Sequence, residues 1–196
     1  MIKYFEDNMR ILSESVESID EKAYNRLVDE CSDVLSLGHK IIISGLGKNV
    51  PVCDKFVGTM LSLGLNAGFM HTNSAVHGDL GLVSDGDIVI VLTKSGETIE
   101  SIYLVEQLKK RNVNIWLPTF EKESTLTKEI KDNCLILDLK HEGDIWNIAP
   151  CNSTTINLIV VQGIAWALAK KQGCDLKTFK ANHPGGHIGL VLKSDG

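Results

Sequence analysis

The chain predicts an α/β fold, a doubly wound five-stranded parallel sheet flanked by helices. Three observations carry that expectation. Five short runs, at 40–44, 67–71, 87–93, 114–118 and 133–139, are largely apolar and β-branched instead of alternating, as strands buried on both faces are. Segments with helical spacing separate most of them, at 50–63, 98–111 and 124–130, and a longer one follows at 153–172. Strands that alternate with helices pair in parallel, and right-handed crossovers lay the helices over both faces.

Ahead of the first strand, residues 1–37 are charged but carry Val16, Ile19, Leu27, Val28, Cys31, Val34 and Leu35 at helical spacing. They predict two helices, the second ending near Gly38. This segment has an apolar face to bury, on the core or on a neighbouring subunit, while 38–196 forms one domain. The first strand ends in Ser44-Gly45-Leu46-Gly47-Lys48-Asn49 and leads into helix 50–63. The second opens into the loop 71–81, which contains Val76-His77-Gly78-Asp79-Leu80-Gly81. The third, Asp87-Ile-Val-Ile-Val-Leu92, is followed by Thr93-Lys94-Ser95-Gly96-Glu97-Thr98 and an amphipathic helix. Ser124 stands where it can cap the helix containing Leu126 and Ile130, and Gly173 stops the last long helix. The fifth strand opens into the loop 140–152, with His141, Glu142 and Asp144.

Composition narrows the function classes. The 196 residues are 43% hydrophobic, enough for one real core. A formal charge of −5 without a basic stripe argues against nucleic acid as the main partner. The first residues are mixed and charged, unlike a signal peptide, and the apolar stretch 156–169 is interrupted by Asn157, Gln162 and Gly163 and too short to span a bilayer. No membrane partner is expected. Five cysteines without a Cys-x-x-Cys read as reduced thiols of a cytoplasmic protein. The histidines and cysteines have no paired spacing, so no metal site is expected.

In doubly wound sheets ligands bind beyond the carboxyl ends of the strands, and all four loops described above lie on that rim. The turn after the third strand combines hydroxyls, one glycine and a helix start, which aims N–H groups and the positive end of a helix dipole at one point. Thr93, Ser95 and Thr98 could be ordinary caps, but three hydroxyls around a glycine exceed what one cap needs. They read as a phosphate site. Lys48 at a helix start is electrostatically unfavourable unless an anion is near. Glu97 and Glu100 stand in the first helical turn, where carboxylates also compensate the dipole; Glu100 is within reach of a sugar held by the turn. Gly47, Asn49 and Ser153 line the neighbouring loops, and His77 and His183 add imidazoles, each equally readable as a packed loop histidine.

These segments resemble a family. Ser44-Gly-Leu-Gly-Lys48, His77-Gly-Asp-Leu-Gly81, Ser95-Gly-Glu-Thr98, Ala149-Pro150 with Ser153-Thr-Thr155, and His183-Pro-Gly-Gly186 recur in this order in the sugar isomerase (SIS) domain of arabinose-5-phosphate isomerases. Many of those proteins continue into paired CBS modules, which are not among these residues. The resemblance implies a flavodoxin-like five-stranded sheet, a homotetramer with active sites between subunits, and no cofactor. It implies interconversion of D-arabinose 5-phosphate and D-ribulose 5-phosphate through a cis-enediolate. Lys48, His77, Glu100, Glu142 and His183 would form the polar active-site set, with Thr93, Ser95 and Thr98 on the phosphate. Glu142 is the expected proton-shuttling base, desolvated between Ile145 and the sheet, with Glu100 its rival. His183 would assist ring opening, and Lys48 with His77 would stabilise charge on oxygen.

The chain departs from that pattern in four places. Asn49 replaces a usual serine, Ser74 replaces a frequent glutamate in the loop before His77, Thr93-Lys94-Ser95-Gly96 replaces Ser-Asn-Ser-Gly, and His141-Glu142-Gly143-Asp144-Ile145-Trp146-Asn147 replaces Lys-Glu-Ala-Cys-Pro-Leu-Gly. The alternatives are another phosphosugar isomerase, such as one acting on a hexulose phosphate, and a non-catalytic phosphosugar sensor.

Overall fold

The computed structural model describes residues 2–194. Five strands, β1 (Ile41–Gly45), β2 (Ala67–His71), β3 (Ile88–Leu92), β4 (Asn114–Thr119) and β5 (Cys134–Ile136), form one parallel sheet in the order β2-β1-β3-β4-β5. Around it run α1 (Ile2–Glu17), α2 (Glu21–Ser36), α3 (Val50–Ser62), α4 (Thr72–Ala75), α5 (Ile99–Leu108), α6 (Thr125–Ile130), α7 (Asn152–Lys171), α8 (Leu176–Asn182) and α9 (Gly186–Ser194). Among the described residues no helix is long and apolar enough to cross a membrane.

Alternation along each strand builds two cores from one sheet. Ile41, Ile43, Ile88, Ile90 and Trp116 face one side and pack against α2, α3 and α7. Ile42, Val89, Val91 and Leu117 face the other and pack against α5 and α6. The second predicted N-terminal helix takes the core as its burial surface: Leu27, Val28 and Cys31 of α2 are fully buried members of the first cluster. The first, α1, lies along α7 and is tied to the chain beyond β5 by Ser15 donating to the Asp138 carbonyl and by Lys140 pairing with Glu14 at 2.7 Å. Tyr4, Phe5 and Met9 of α1 remain exposed.

The amino edge of the sheet is held by a buried carboxylate. Asp87 is 1% exposed; its Oδ1 accepts from the Lys40 N–H at 3.0 Å, and its Oδ2 accepts from the Ser84 N–H at 2.8 Å and faces the Lys40 ammonium at 2.9 Å. Asp87→Ala strands those donors and is expected to cost about 2–3 kcal/mol in urea denaturation. An unchanged midpoint contradicts that role.

The last strand is shorter than the apolar run at 133–139. Leu137 still donates to the Thr119 carbonyl at 2.8 Å, but the chain then turns away toward the site. Between β2 and β3 the predicted loop contains α4, capped by the His71 ring, whose Nδ1 accepts from the Asn73 N–H at 3.2 Å. Ser124 caps α6 as expected, in a reciprocal box with Thr127, and Gly173 follows α7 with φ +65°.

Candidate active site

Three loops converge beyond the carboxyl ends of β1, β3 and β5. The first is a 3-10 turn, Gly47–Asn49, between β1 and α3. The second is the bend Thr93–Thr98 ahead of α5, and the third is the chain from Leu137 to the start of α7. Between them lies a cavity of about 300 Å³. Gly47, Lys48 and Asn49 line it from the first loop, Thr93, Lys94 and Thr98 from the second, and Ile148, Pro150 and Ser153 from the third. The Lys48 ammonium makes no ion pair among the described residues.

Local chemistry explains the shape of the bend. Thr93 Oγ1 accepts from the Gly96 N–H and Ser95 Oγ from the Glu97 N–H, both at 3.2 Å, so two of the three hydroxyls fold the turn itself. Thr98 is different. It is the N-cap residue of α5, yet its side chain makes no capping bond and faces the cavity. Gly96 has φ +65°, and a Cβ there would collide with Ser124 Oγ, so only glycine lets the bend pack on the start of α6. Glu97 completes that contact, accepting from the Thr125 N–H at 2.7 Å and the Thr125 hydroxyl at 2.8 Å.

Glu142 is the most deeply placed carboxylate of the rim, 1% exposed. Its Oε2 accepts from the N–H groups of Cys151 (3.0 Å) and Ser153 (2.9 Å) at the start of α7. Its buried Oε1 pairs with the Lys94 ammonium at 2.5 Å, and the Ser153 hydroxyl also bears on the carboxylate. Burial pushes this carboxyl up, but the Lys94 ammonium and Ser153 outweigh it and hold it below the ordinary glutamate value. The expected cause of its burial is corrected. Ile145 is 86% exposed and covers nothing; the cover comes from the start of α7 and the folded loop itself.

That loop is stapled internally. Asp144 Oδ1 accepts from the Trp146 N–H, and its Oδ2 from the N–H groups of Ile148 and Ala149. Asn147, at φ +56°, accepts from the Glu142 N–H at 2.7 Å through Oδ1. Gly143, at φ +91°, lets α1 approach: a Cβ there would collide with Asn8 Oδ1. Asn152 Nδ2 donates both to that oxygen (2.7 Å) and to the His141 carbonyl (3.0 Å), so α1 braces the loop that carries Glu142.

The remaining expected residues are distributed around this centre. Ser95 and Glu142 line an adjacent cleft of about 410 Å³, and Lys94 lines both that cleft and the central cavity. His77 and Glu100 face a third cleft of about 480 Å³ with Ser74 and Tyr103. His183 is not brought to any of them within one chain. It stacks on Phe179 at 4.1 Å, its Nδ1 lies 2.7 Å from the Phe179 carbonyl, and the adjoining Asn182 bonds the Leu61 and Ser62 carbonyls at the far end of α3.

Two residues escape a reading of the sequence. Lys94 is visible there only as a departure from a pattern. Asn157 is visible only as an interruption of an apolar run, yet it lines the cavity at 2% exposure. Its Nδ2 donates to Asn49 Oδ1 at 2.9 Å, and its own buried Oδ1 has no partner among the described residues.

The sequence model of the SIS domain matches residues 35–167. Arabinose 5-phosphate isomerase KdsD of Pseudomonas aeruginosa is 31% identical over 182 residues, 92% of this chain and 56% of that protein. The chain thus spans about half the length of the curated relatives it matches. Among solved structures, E. coli CFT073 c3406 in complex with arabinose 5-phosphate superposes with a TM-score of 0.84 at 30% identity, covering 93% of this chain and 95% of that one. Vibrio vulnificus NanR complexed with ManNAc-6P shares the fold, with a TM-score of 0.72 at 16% identity, over 98% of this chain and 69% of that one.

Proposed function

This chain belongs to the SIS-domain family, and on that premise we propose that it is a phosphosugar aldose–ketose isomerase interconverting D-arabinose 5-phosphate and D-ribulose 5-phosphate. The observation that carries the reading is the central cavity, where the unused Thr98 hydroxyl, the unpaired Lys48 ammonium and the start of α5 face one space. A phosphate ester fits that set of donors and charges. The relative in complex with arabinose 5-phosphate and the KdsD relatives support the five-carbon substrate.

The reaction is a proton relay. Glu142 takes the proton from C2 of the open-chain aldose; O1 is protonated and O2 loses its proton as the cis-enediolate forms and collapses; Glu142 then returns a proton to C1. Lys48 holds the phosphate dianion, His77 stabilises the developing oxyanion, and Glu100, two residues beyond Thr98, holds the sugar or substitutes as base. No step draws on a cofactor. For His183 to take part it must come from another copy of the chain, in keeping with the homotetramer with sites between subunits that we propose. Exposed Tyr4, Phe5, Ile145 and Trp146 supply apolar surface for such contacts. Light scattering that returns a monomer at micromolar concentration contradicts the assembly.

A panel of pentose and hexose phosphates in a coupled assay tests the function. Turnover is expected to be greatest with arabinose 5-phosphate and ribulose 5-phosphate. Greater turnover of a hexulose phosphate reassigns the substrate. Tight binding without any turnover favours the non-catalytic sensor reading.

A further inference from the structure

We propose that Lys94 is an exchangeable counter-ion: in the empty site it covers the proton-accepting oxygen of Glu142, and an arriving phosphate dianion draws it away and so releases the base. The inference rests on the isomerase reading of the site and adds a residue and a gating step to it. Among the described residues Lys94 alone lines both the central cavity and the cleft containing Glu142, and its side chain is 47% exposed, free enough to swing between them. The two oxygens of Glu142 are held unequally. Oε2 is fixed by two N–H groups at the start of α7, so the carboxylate stays in position when Lys94 leaves. Among the described residues Oε1 has no other cation beside it, so departure of Lys94 leaves that oxygen without its counter-charge while the Ser153 hydroxyl and the start of α7 remain around the carboxylate.

Electrostatics favours the exchange. A phosphate dianion carries twice the charge of the carboxylate and lies in the cavity that Lys94 already borders. Once Lys94 turns to it, Glu142 is a buried carboxylate without a cation, and burial makes it a stronger base. The other charged groups facing it do not replace the lysine. Glu121, from the segment after β4, lines the same cleft and is itself negative. Lys140 is paired with Glu14 of α1, and the His141 ring nitrogen Nδ1 accepts from the Gly143 N–H at 2.9 Å. Asp144 is occupied by the three N–H groups of its own loop, and α1 offers the neutral Asn8 at this point. The device also gives the departure at position 94 a purpose, since the uncharged asparagine of the resembling pattern could not perform it.

The test is a carbon-13 NMR titration of the Glu142 carboxyl, assigned by its absence in Glu142→Gln, with and without saturating inorganic phosphate. In the native protein phosphate is expected to raise the Glu142 midpoint by about one pH unit or more. In Lys94→Asn the empty protein should already titrate at the raised midpoint, phosphate should move it by less than half the native amount, and phosphate affinity should fall about tenfold. Lys94→Arg, which keeps the charge, should restore the native pattern. Equal phosphate-induced shifts in the native protein and Lys94→Asn overturn the exchange, because the charge of the bound anion would then suffice. Bound phosphate without any shift overturns it also. Failure of both proteins to bind phosphate overturns the phosphate reading of the cavity itself, and the exchange with it.

Discussion

Glu142→Gln is expected to lower kcat by about 10²–10⁴-fold with the fold intact. Glutamine keeps the length and accepts at one oxygen, so the N–H groups of Cys151 and Ser153 need not lose their acceptor. What it cannot do is take a proton from carbon. Initial rates beside circular dichroism check the result, and a rate within a few-fold of the native one transfers the role of base to Glu100. The same substitution has a signature in stability. The carboxyl is held below its ordinary value in the folded protein, so its contribution is present above that ordinary value and is lost as pH falls through the lowered one. The native protein should therefore lose stability on acidification more steeply than Glu142→Gln, read as denaturation midpoints across the acid range. Parallel curves contradict the assignment of direction.

Lys48→Met is expected to move affinity and stability independently. The ammonium precedes α3, where the helix dipole disfavours a cation, and it has no ion-pair partner among the described residues. Its removal should leave the thermal midpoint unchanged or slightly raised. The KM for the sugar phosphate should rise about 10–100-fold, as expected when one charge-assisted contact to a phosphate is lost. The effect should shrink for the same sugar without its phosphate. A KM that stays at the native value removes Lys48 from the anion site, and a large loss of stability identifies it as structural.

The sheet was legible because parallel strands covered on both faces leave continuous apolar runs, and β1, β3 and β4 fall where such runs stand. The fifth was over-extended, since Leu137, still bonded to Thr119, and Leu139 continue the apolar run past Ile136, where the strand ends. The four residues of α4 are too few to show a period, and α8 and α9 flank the Pro-Gly-Gly sequence that reads as a plain turn. Around the site, the loops that gather were legible because the rim rule depends on strand order alone. The partners within them were not. Nothing local announces that Lys94 reaches Glu142, that Asn8 of α1 braces the loop from Gly143 to Asn152, or that Thr93 and Ser95 spend their oxygens folding the bend while Thr98 does not. Ile145 illustrates the converse: an apolar neighbour in sequence is no guide to burial when the loop turns it outward.

The most direct test of the central claim, that a phosphate-anchored sugar has one proton moved between C1 and C2 by a protein carboxylate, is conversion of arabinose 5-phosphate in D₂O followed by proton NMR of the ketose. The account predicts deuterium at a single prochiral position of C1, placed there during the exchange of the carboxyl proton with solvent. Complete retention of the substrate's own C2 proton at C1 through full conversion, or conversion at the native rate by Glu142→Gln and Glu100→Gln alike, would contradict it.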